Sequence, residues 1–289
     1  MILVTGAGGQ LGQCFQMRAP RHPHLRLYFA GTDMLDITDR RAVASFITRH
    51  PVTGMINCAA YTAVDKAESE PEKAKKINVT GVKNLALACA AKNIPLIHFS
   101  TDYVYHNKQN TPFLETDPVS PKSVYARTKL AGERVALKAH PGTMIIRTSW
   151  VYSEFGQNFV KTMLRLGKER ASLNVVFDQI GTPTYAPDLA DALLGVLDLI
   201  ERKDISPARI AGIWHYSNEG VTSWYDFALA IFEMKGMHCA VNPIMTRDYP
   251  TPAQRPPFSV LNKGKIKAEF GLEIAPWRDG LRRCLEALS

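Results

Sequence analysis

The sequence predicts an α/β protein built on a doubly wound parallel sheet, with a smaller C-terminal substrate-binding lobe. Three observations carry that prediction. Short apolar runs alternate with stretches of helical length over residues 1–150. A glycine-rich turn, Gly6-Ala7-Gly8-Gly9-Gln10-Leu11-Gly12, follows the first run. The runs end in small or hydroxyl-bearing residues. Strand–helix alternation makes each connection a crossover, so the strands lie parallel. Ligands of such sheets bind beyond the C-terminal strand ends.

Ile2-Leu3-Val4 is a short buried strand ending at Thr5-Gly6, and Leu11 to Arg18 forms the helix after it. Leu25 to Phe29 is a second strand. Asp36-Ile37-Thr38-Asp39 is a turn and cap before a helix running to Arg49. Met55 to Cys58 is a third strand, and a long helix spans Lys73 to Lys92 with Ile77, Leu85 and Leu87 among its apolar positions. Leu96 to Phe99 is a fourth strand ending at Ser100-Thr101; the next helix carries Tyr125 and Lys129; Thr143 to Arg147 is a fifth strand.

Beyond residue 150 the pattern is less regular. Helices are expected over Phe159 to Leu166, Asp188 to Ile200 and Trp224 to Met234, the last capped by Ser223. Proline concentrates from Pro243 to Pro257. The organisation expected is a dinucleotide-binding part over 1–150 and a part over 151–289 that is mainly a substrate-binding lobe, interleaved with the last strands of the sheet. With no flexible linker between them, the lobe packs on the first part and leaves a cleft.

The 289 residues carry a net charge of +8 and are 46% hydrophobic, ample for a large core. No apolar run reaches membrane-spanning length. No basic leader with a cleavage site opens the chain. Cys14, Cys58, Cys89, Cys239 and Cys284 are scattered, without the paired spacing of a zinc site or disulfide frame. A cytoplasmic location is expected. Lys and Arg are dispersed, so nucleic-acid binding, which wants a clustered basic stripe, is not expected. The positive balance reads as a solvated surface or as attraction for anionic ligands such as a dinucleotide or sugar nucleotide.

The first turn fits GxxGxxG through Gly6, Gly9 and Gly12. Glycine permits positive φ and lets backbone amides approach a pyrophosphate at a helix N-terminus, so the sheet reads as Rossmann-like. Asp33, after the second strand, is placed to meet adenosine ribose hydroxyls, which favours NAD; Arg40 and Arg41 are close enough in sequence to leave NADP open. Ala59, Ala60 and Thr62 end the third strand with room for a cofactor to cross the sheet edge.

Tyr125 and Lys129 stand four residues apart and share a helix face. An ammonium beside a phenol favours the phenolate and lowers its pKa. A phenol so tuned exchanges a proton with a carbonyl oxygen. Thr101, at the fourth strand end, can orient that carbonyl. The chemistry expected is hydride transfer from a nicotinamide cofactor to a ketone, with Tyr125 as proton donor, Lys129 as its tuner and ribose ligand, and Thr101 as the third catalytic member.

These residues and their surroundings resemble one family, the dTDP-4-dehydrorhamnose reductases within the extended short-chain dehydrogenase/reductases. The matching stretches include GAGGQLGQ at 6–13, NCAAYTAVDKAE at 57–68, STDYVY at 100–105, YARTKLAGE at 125–133, RTSWVY at 147–152 and RPPFSVL at 255–261. They span nearly the whole chain. The resemblance implies reduction by NADPH or NADH of the 4-keto group of dTDP-4-dehydro-L-rhamnose, feeding cell-surface polysaccharide synthesis. It implies Thr101, Tyr125 and Lys129 as catalytic, and Gln10 and Leu11 beside the pyrophosphate. Tyr103 and Trp150 would face the sugar and Arg255 the substrate diphosphate.

The chain departs from the family pattern in three places. Ala126 stands where glycine commonly follows the tyrosine. Tyr105-His106-Asn107 replaces a more usual Phe-Asp-Gly, so this loop is expected to differ. Some members hold magnesium at a dimer interface through an acid where this chain has Cys14. A thiol is a poor partner for a hard cation, so no magnesium is expected there, and a monomer or weak homodimer is. The alternatives are a reductase of another 4-keto nucleotide sugar and a non-catalytic, NADP-binding regulatory subunit.

Overall fold

The structure is a computed structural model and describes residues 1–288. In chain order it runs β1 (Ile2–Thr5), α1 (Gln10–Arg18), β2 (Leu27–Ala30), α2 (Arg40–Arg49), β3 (Gly54–Asn57), α3 (Pro71–Lys75), a π-helical segment (Lys76–Gly81), α4 (Val82–Lys92), β4 (Leu96–Thr101), α5 (Val124–Ala139) and β5 (Thr143–Thr148). The second half adds β6 (Val151–Tyr152), α6 (Phe159–Glu169), β7 (Ser172–Val176), β8 (Ile180–Gly181), β9 (Thr184–Tyr185), α7 (Ala186–Glu201), β10 (Gly212–His215), β11 (Thr222–Ser223), α8 (Trp224–Lys235), β12 (Ala240–Ile244), α9 (Gly264–Phe270) and α10 (Trp277–Ala287).

Six parallel strands form the central sheet in the order β10-β5-β4-β3-β1-β2. The reversal of order lies between β1 and β3, the switch point at which such sheets receive ligands. β1, β3, β4 and β5 are buried along their whole length. Side chains on both faces are therefore mostly apolar, as a sheet covered on two sides requires, with buried polar groups such as Asn57, His98 and Arg147 paired by hydrogen bonds. On one face α1 and α7 pack together over Val4, Ile56, Ile97 and Ile146. On the other, α2, α4 and α5 cover Leu3, Met55, Leu96 and Ile145. A separate core in the second half joins α6, α8, α10 and the β7–β12 pair around Phe227, Ile231, Trp277 and Leu281. Each such buried side chain stabilises the fold by about 1.5–3 kcal/mol before entropy is counted.

Local chemistry sets the ends. Asp39 caps α2 by accepting from the amides of Arg41 and Ala42, and Ser223 caps α8 by accepting from Asp226 N. Two expectations are corrected. The strand read over Leu25 to Phe29 is Leu27–Ala30, with Leu25 in the core just before it. The helix read over Lys73 to Lys92 starts at Pro71 and widens into a π turn at Lys76–Gly81. Within this turn lies Asn78, whose buried side chain accepts from Tyr61 N (2.9 Å) and donates to Tyr61 O (3.1 Å) and Thr128 Oγ1 (3.2 Å). An extra residue in a turn of this kind commonly marks a functional site.

Candidate active site

The glycine turn lies directly beyond β1. Gly6 has φ +68°, and a Cβ there would stand 2.5 Å from Ala59 N. On Gly12 a Cβ would fall 2.4 Å from Gly6 O. The turn is thus pressed between α1 and the end of β3, and only glycine fits at either place. Gly9 caps α1 without a side-chain hydrogen bond, and no acid sits in the first turn. The free amides and helix dipole of that end suit an anion. Leu11 turns its side chain toward the core. Gln10 is engaged otherwise: its Nε2 donates to Val151 O (3.2 Å) and its Oε1 accepts from Asn158 Nδ2 (2.8 Å). Gln10 thereby ties the turn to the second half of the chain.

The ends of β3 and β4 are stitched together underneath. Asn57 Oδ1 accepts from Thr5 Oγ1 (2.7 Å) and from Ala59 N (3.1 Å), which turns its Nδ2 toward His98 Nδ1 (3.0 Å). This fixes the direction in which Cys58, Ala59 and Ala60 leave the sheet. Ala59 and Ala60 are half-buried and Thr62 is exposed. Asp33 is exposed in the loop after β2, its carboxylate folded over Gly31.

Ser123 caps α5 by accepting from Ala126 N (3.2 Å), and Glu68 accepts from Val124 N (2.7 Å). α5 then presents Tyr125, Lys129 and Glu133 on one face at successive fourfold spacing. Lys129 is buried and its Nζ donates to Phe99 O of β4 (2.6 Å). Burial brings its pKa down to about 8, with Glu133 opposing. The Tyr125 phenol is pushed up to about 12 by burial, an effect that its hydrogen bond with Thr101 opposes and the charge of Asp102 reinforces. The lowering expected from Lys129 is not among the effects acting on the phenol: the ammonium is turned to the Phe99 carbonyl, and burial sets the direction of the Tyr125 shift. Thr101 Oγ1 accepts from Tyr103 N (3.2 Å) and contacts Asp102 Oδ1 (3.1 Å). Asp102 is itself buried, its pKa raised to about 7 by desolvation, and its Oδ2 has no hydrogen-bond partner among the described residues.

Tyr103 stands edge-on to Tyr125, ring centroids 5.9 Å apart. Trp150 follows β5 with φ +47°, a strained conformation for a bulky residue. Its indole lies between Trp224, stacked at 3.6 Å, and Gly181, where a Cβ would come within 2.6 Å of the ring. Arg255, expected to meet a diphosphate, holds a protein carboxylate: Nη1 donates to Asp65 Oδ1 (3.0 Å) and Nη2 to Asp65 Oδ2 (2.7 Å), while Nη1 also reaches Thr251 Oγ1 and Ala253 O. The loop after β3 carries Asp65 to the proline-rich segment, and opposite charge closes the contact. Cys14 is buried in α1, its thiol raised to about 12 by burial and so protonated.

Motif reading missed several members of this region. Asp65, Asp102 and Glu133 lie inside the matching stretches, and Asn78 and Trp224 inside expected helices, yet pattern alone gives none of them a role. Spacing alone could have found only Glu133, which continues the Tyr125–Lys129 row.

A switch-point glycine turn, an uncapped helix end and a buried Tyr–Lys helix beside a strand-end hydroxyl suit a nicotinamide dinucleotide, and together they define a dinucleotide-dependent reductase of the short-chain type. The model of the RmlD substrate binding domain matches residues 1–289, and the chain belongs to this family, that of the dTDP-4-dehydrorhamnose reductases. It is 42% identical over 287 residues to a dTDP-4-dehydrorhamnose reductase of Aggregatibacter actinomycetemcomitans, covering 97% of each chain. The structure of a dTDP-4-dehydrorhamnose reductase from Clostridium acetobutylicum matches with TM-score 0.92 at 40% identity, over 99% of both chains. That of the Bacillus anthracis reductase in complex with NADP matches with TM-score 0.91 at 36% identity, over 99% of this chain and 98% of the other.

Proposed function

We propose that the chain reduces the 4-keto group of dTDP-4-dehydro-L-rhamnose to give dTDP-L-rhamnose, a precursor of cell-surface polysaccharide. The observation that carries this is the hydrogen bond of Tyr125 with Thr101, one helical turn from the buried Lys129 at the end of β4, within a family match over the full chain. A bound NADPH or NADH supplies hydride to the keto carbon. The backbone of the turn from Gly6 through Gly9, Gln10, Leu11 and Gly12 would hold the pyrophosphate end of that cofactor; Asp33 would serve the adenosine ribose; Ala59, Ala60 and Thr62 would line the path across the sheet edge.

Tyr125 carries its proton throughout the neutral range, so it is a donor ready to protonate the keto oxygen. Thr101 steadies that oxygen through its hydroxyl. Lys129, positive below about pH 8, stabilises the phenolate left behind and would hold the nicotinamide ribose. These interactions strengthen as negative charge develops on oxygen, so they favour the transition state over the ground state. Tyr103 and Trp150 wall the sugar. Arg255 exchanges Asp65 for the substrate diphosphate.

The protein works in the cytoplasm as a monomer or weak homodimer. Among the described residues no helix is long and apolar enough to cross a membrane. A protonated, buried Cys14 offers no ligand to magnesium. The test is loss of reduced-nicotinamide absorbance with dTDP-4-dehydro-L-rhamnose. Stoichiometric oxidation yielding dTDP-L-rhamnose is the expected result; cofactor binding without oxidation would refute it.

A further inference from the structure

Behind the Tyr–Lys face runs a buried polar chain that the proposed reaction does not use. Glu133 Oε1 accepts from Arg147 Nε (3.0 Å) and its Oε2 from Arg147 Nη2 (2.6 Å). Ser100 Oγ donates to the same carboxylate. Ser100 on β4 and Arg147 on β5 are cross-strand partners, one residue short of the Thr101–Thr148 pair. Arg147 Nη1 donates to the Tyr105 hydroxyl (2.6 Å), which meets His215 Nε2 (2.8 Å); His215 Nδ1 faces Asn262 O (3.2 Å). Since a carbonyl can only accept, His215 carries its proton on Nδ1, and the single Tyr105 hydroxyl proton is shared between His215 Nε2 and Leu114 O, 3.0 Å away. Glu133 and Arg147 are 1% and 3% exposed at their side chains.

We propose that Glu133 is a positioning residue for the reduction: gripped by Arg147 and Ser100, it sets where α5 holds Lys129 and Tyr125 against the end of β4. This rests on the function proposed above. A fully buried ion pair is a poor device for stability, since apolar groups of the same volume commonly serve as well or better. Its distinctive yield is geometry, and here the geometry lies one helical turn from Lys129. The two fork bonds and the Ser100 bond fix α5 in rotation and along its axis relative to both strands. That fixes the Lys129 contact with Phe99 O and the Tyr125 contact with Thr101. Tyr105 extends the brace through its hydroxyl and His215 to the segment around Asn262.

Glu133 also sets the field at Lys129. Facing Lys129 are Tyr125 and Glu133 from its own helix and His98 from β4, with Arg147 of β5 on the far side of Glu133. His98 is held neutral by burial and the Tyr125 phenol is uncharged. Asp102 acts on Tyr125 from β4's end. Glu133 is therefore the anion that keeps Lys129 protonated.

The experiment compares wild type, Glu133→Gln and the doubly neutral E133Q/R147M. For E133Q, kcat should fall about 10- to 100-fold while KM for the sugar nucleotide stays within about threefold, because the interaction lost belongs to the transition state. The alkaline fall of kcat should move to lower pH, because Lys129 loses its nearest anion. E133Q/R147M should regain thermal stability without regaining kcat or the wild-type pH profile. Wild-type kcat and profile in E133Q, or their recovery in the double variant, would overturn the proposal. Should E133Q fail to fold, the double variant decides alone. Should wild type itself not turn over, the proposed function fails instead. The pH dependence of NADPH binding, followed by protein fluorescence, then tests Glu133: a midpoint shifted down supports it and an unchanged midpoint sinks it.

Discussion

Arg255 and Asp65 lie 190 positions apart in sequence and meet in a two-pronged ion pair, guanidinium fork on carboxylate, at 3.0 and 2.7 Å. The pair joins the loop leaving β3 to the proline-rich segment of the second half. Its side chains are 21% and 40% exposed, so water screens it and its worth is about 0.2–1 kcal/mol. A diphosphate offers more charge to the same fork. The pair is weak enough to be exchanged.

Arg255→Met should therefore raise KM for the sugar nucleotide about 10- to 100-fold through lost charge-assisted hydrogen bonds, with NADPH affinity unchanged. Thermal stability should fall by no more than about 1 kcal/mol. Steady-state kinetics and a melting curve check both. Unchanged KM would leave Arg255 as a structural partner of Asp65 alone.

Tyr125→Phe removes only the hydroxyl and should lower kcat by about 10²- to 10⁴-fold, with cofactor binding retained. In the wild type, Lys129 must be protonated, and burial has lowered its pKa to about 8. Its contribution to turnover is thus present at neutral pH and lost as pH rises through about 8. A kcat profile flat to pH 10 would contradict the assignment.

Asp102 gives a pH signature in stability. Its folded pKa, about 7, lies above the ordinary 3.8 because it is desolvated. A raised carboxyl pKa means that its favourable contribution is complete below about 3.8 and is lost as pH climbs through 7, where a charge must be buried. Asp102→Asn should therefore raise Tm more at pH 8 than at pH 5. Calorimetry at the two pH values measures the gap; an equal gain at both would show that Asp102 is already ionised.

The stack of Trp150 on Trp224 makes a fourth case. Trp224→Ala removes one wall from a ring whose backbone is already strained, so Trp150 should relax away from the cleft. KM for the sugar nucleotide should rise about tenfold while Tyr125-dependent chemistry, read in kcat, changes less than about threefold. A change confined to kcat would place Trp224 elsewhere in the mechanism.

The parallel sheet was legible because β1, β3, β4 and β5 are buried on both faces and read as plain apolar runs. Asp39 and Ser223 announced their helices through capping chemistry. β12 was not legible: Ala240–Ile244 contains Pro243 and alternates only between exposed and half-buried positions, so no period survives. The two-residue strands are too short for any pattern. In the site, the Tyr125–Lys129 row was visible in spacing, yet the direction of the Tyr125 shift was not, because burial is a property of the packed state. The grip of Arg147 on Glu133 depends on strand register, and the hold of Asp65 on Arg255 on loops meeting across the cleft. Neither leaves a mark in local sequence.

β10 joins the sheet beside β5, although Gly212–His215 is synthesised long after Thr143–Thr148. A nascent chain that has emerged only to residue 150 has β5 with an open edge and α1 without α7 to cover it. Productive assembly must wait until translation has passed His215. A truncated first half should for the same reason be an aggregation hazard rather than a small cofactor-binding protein.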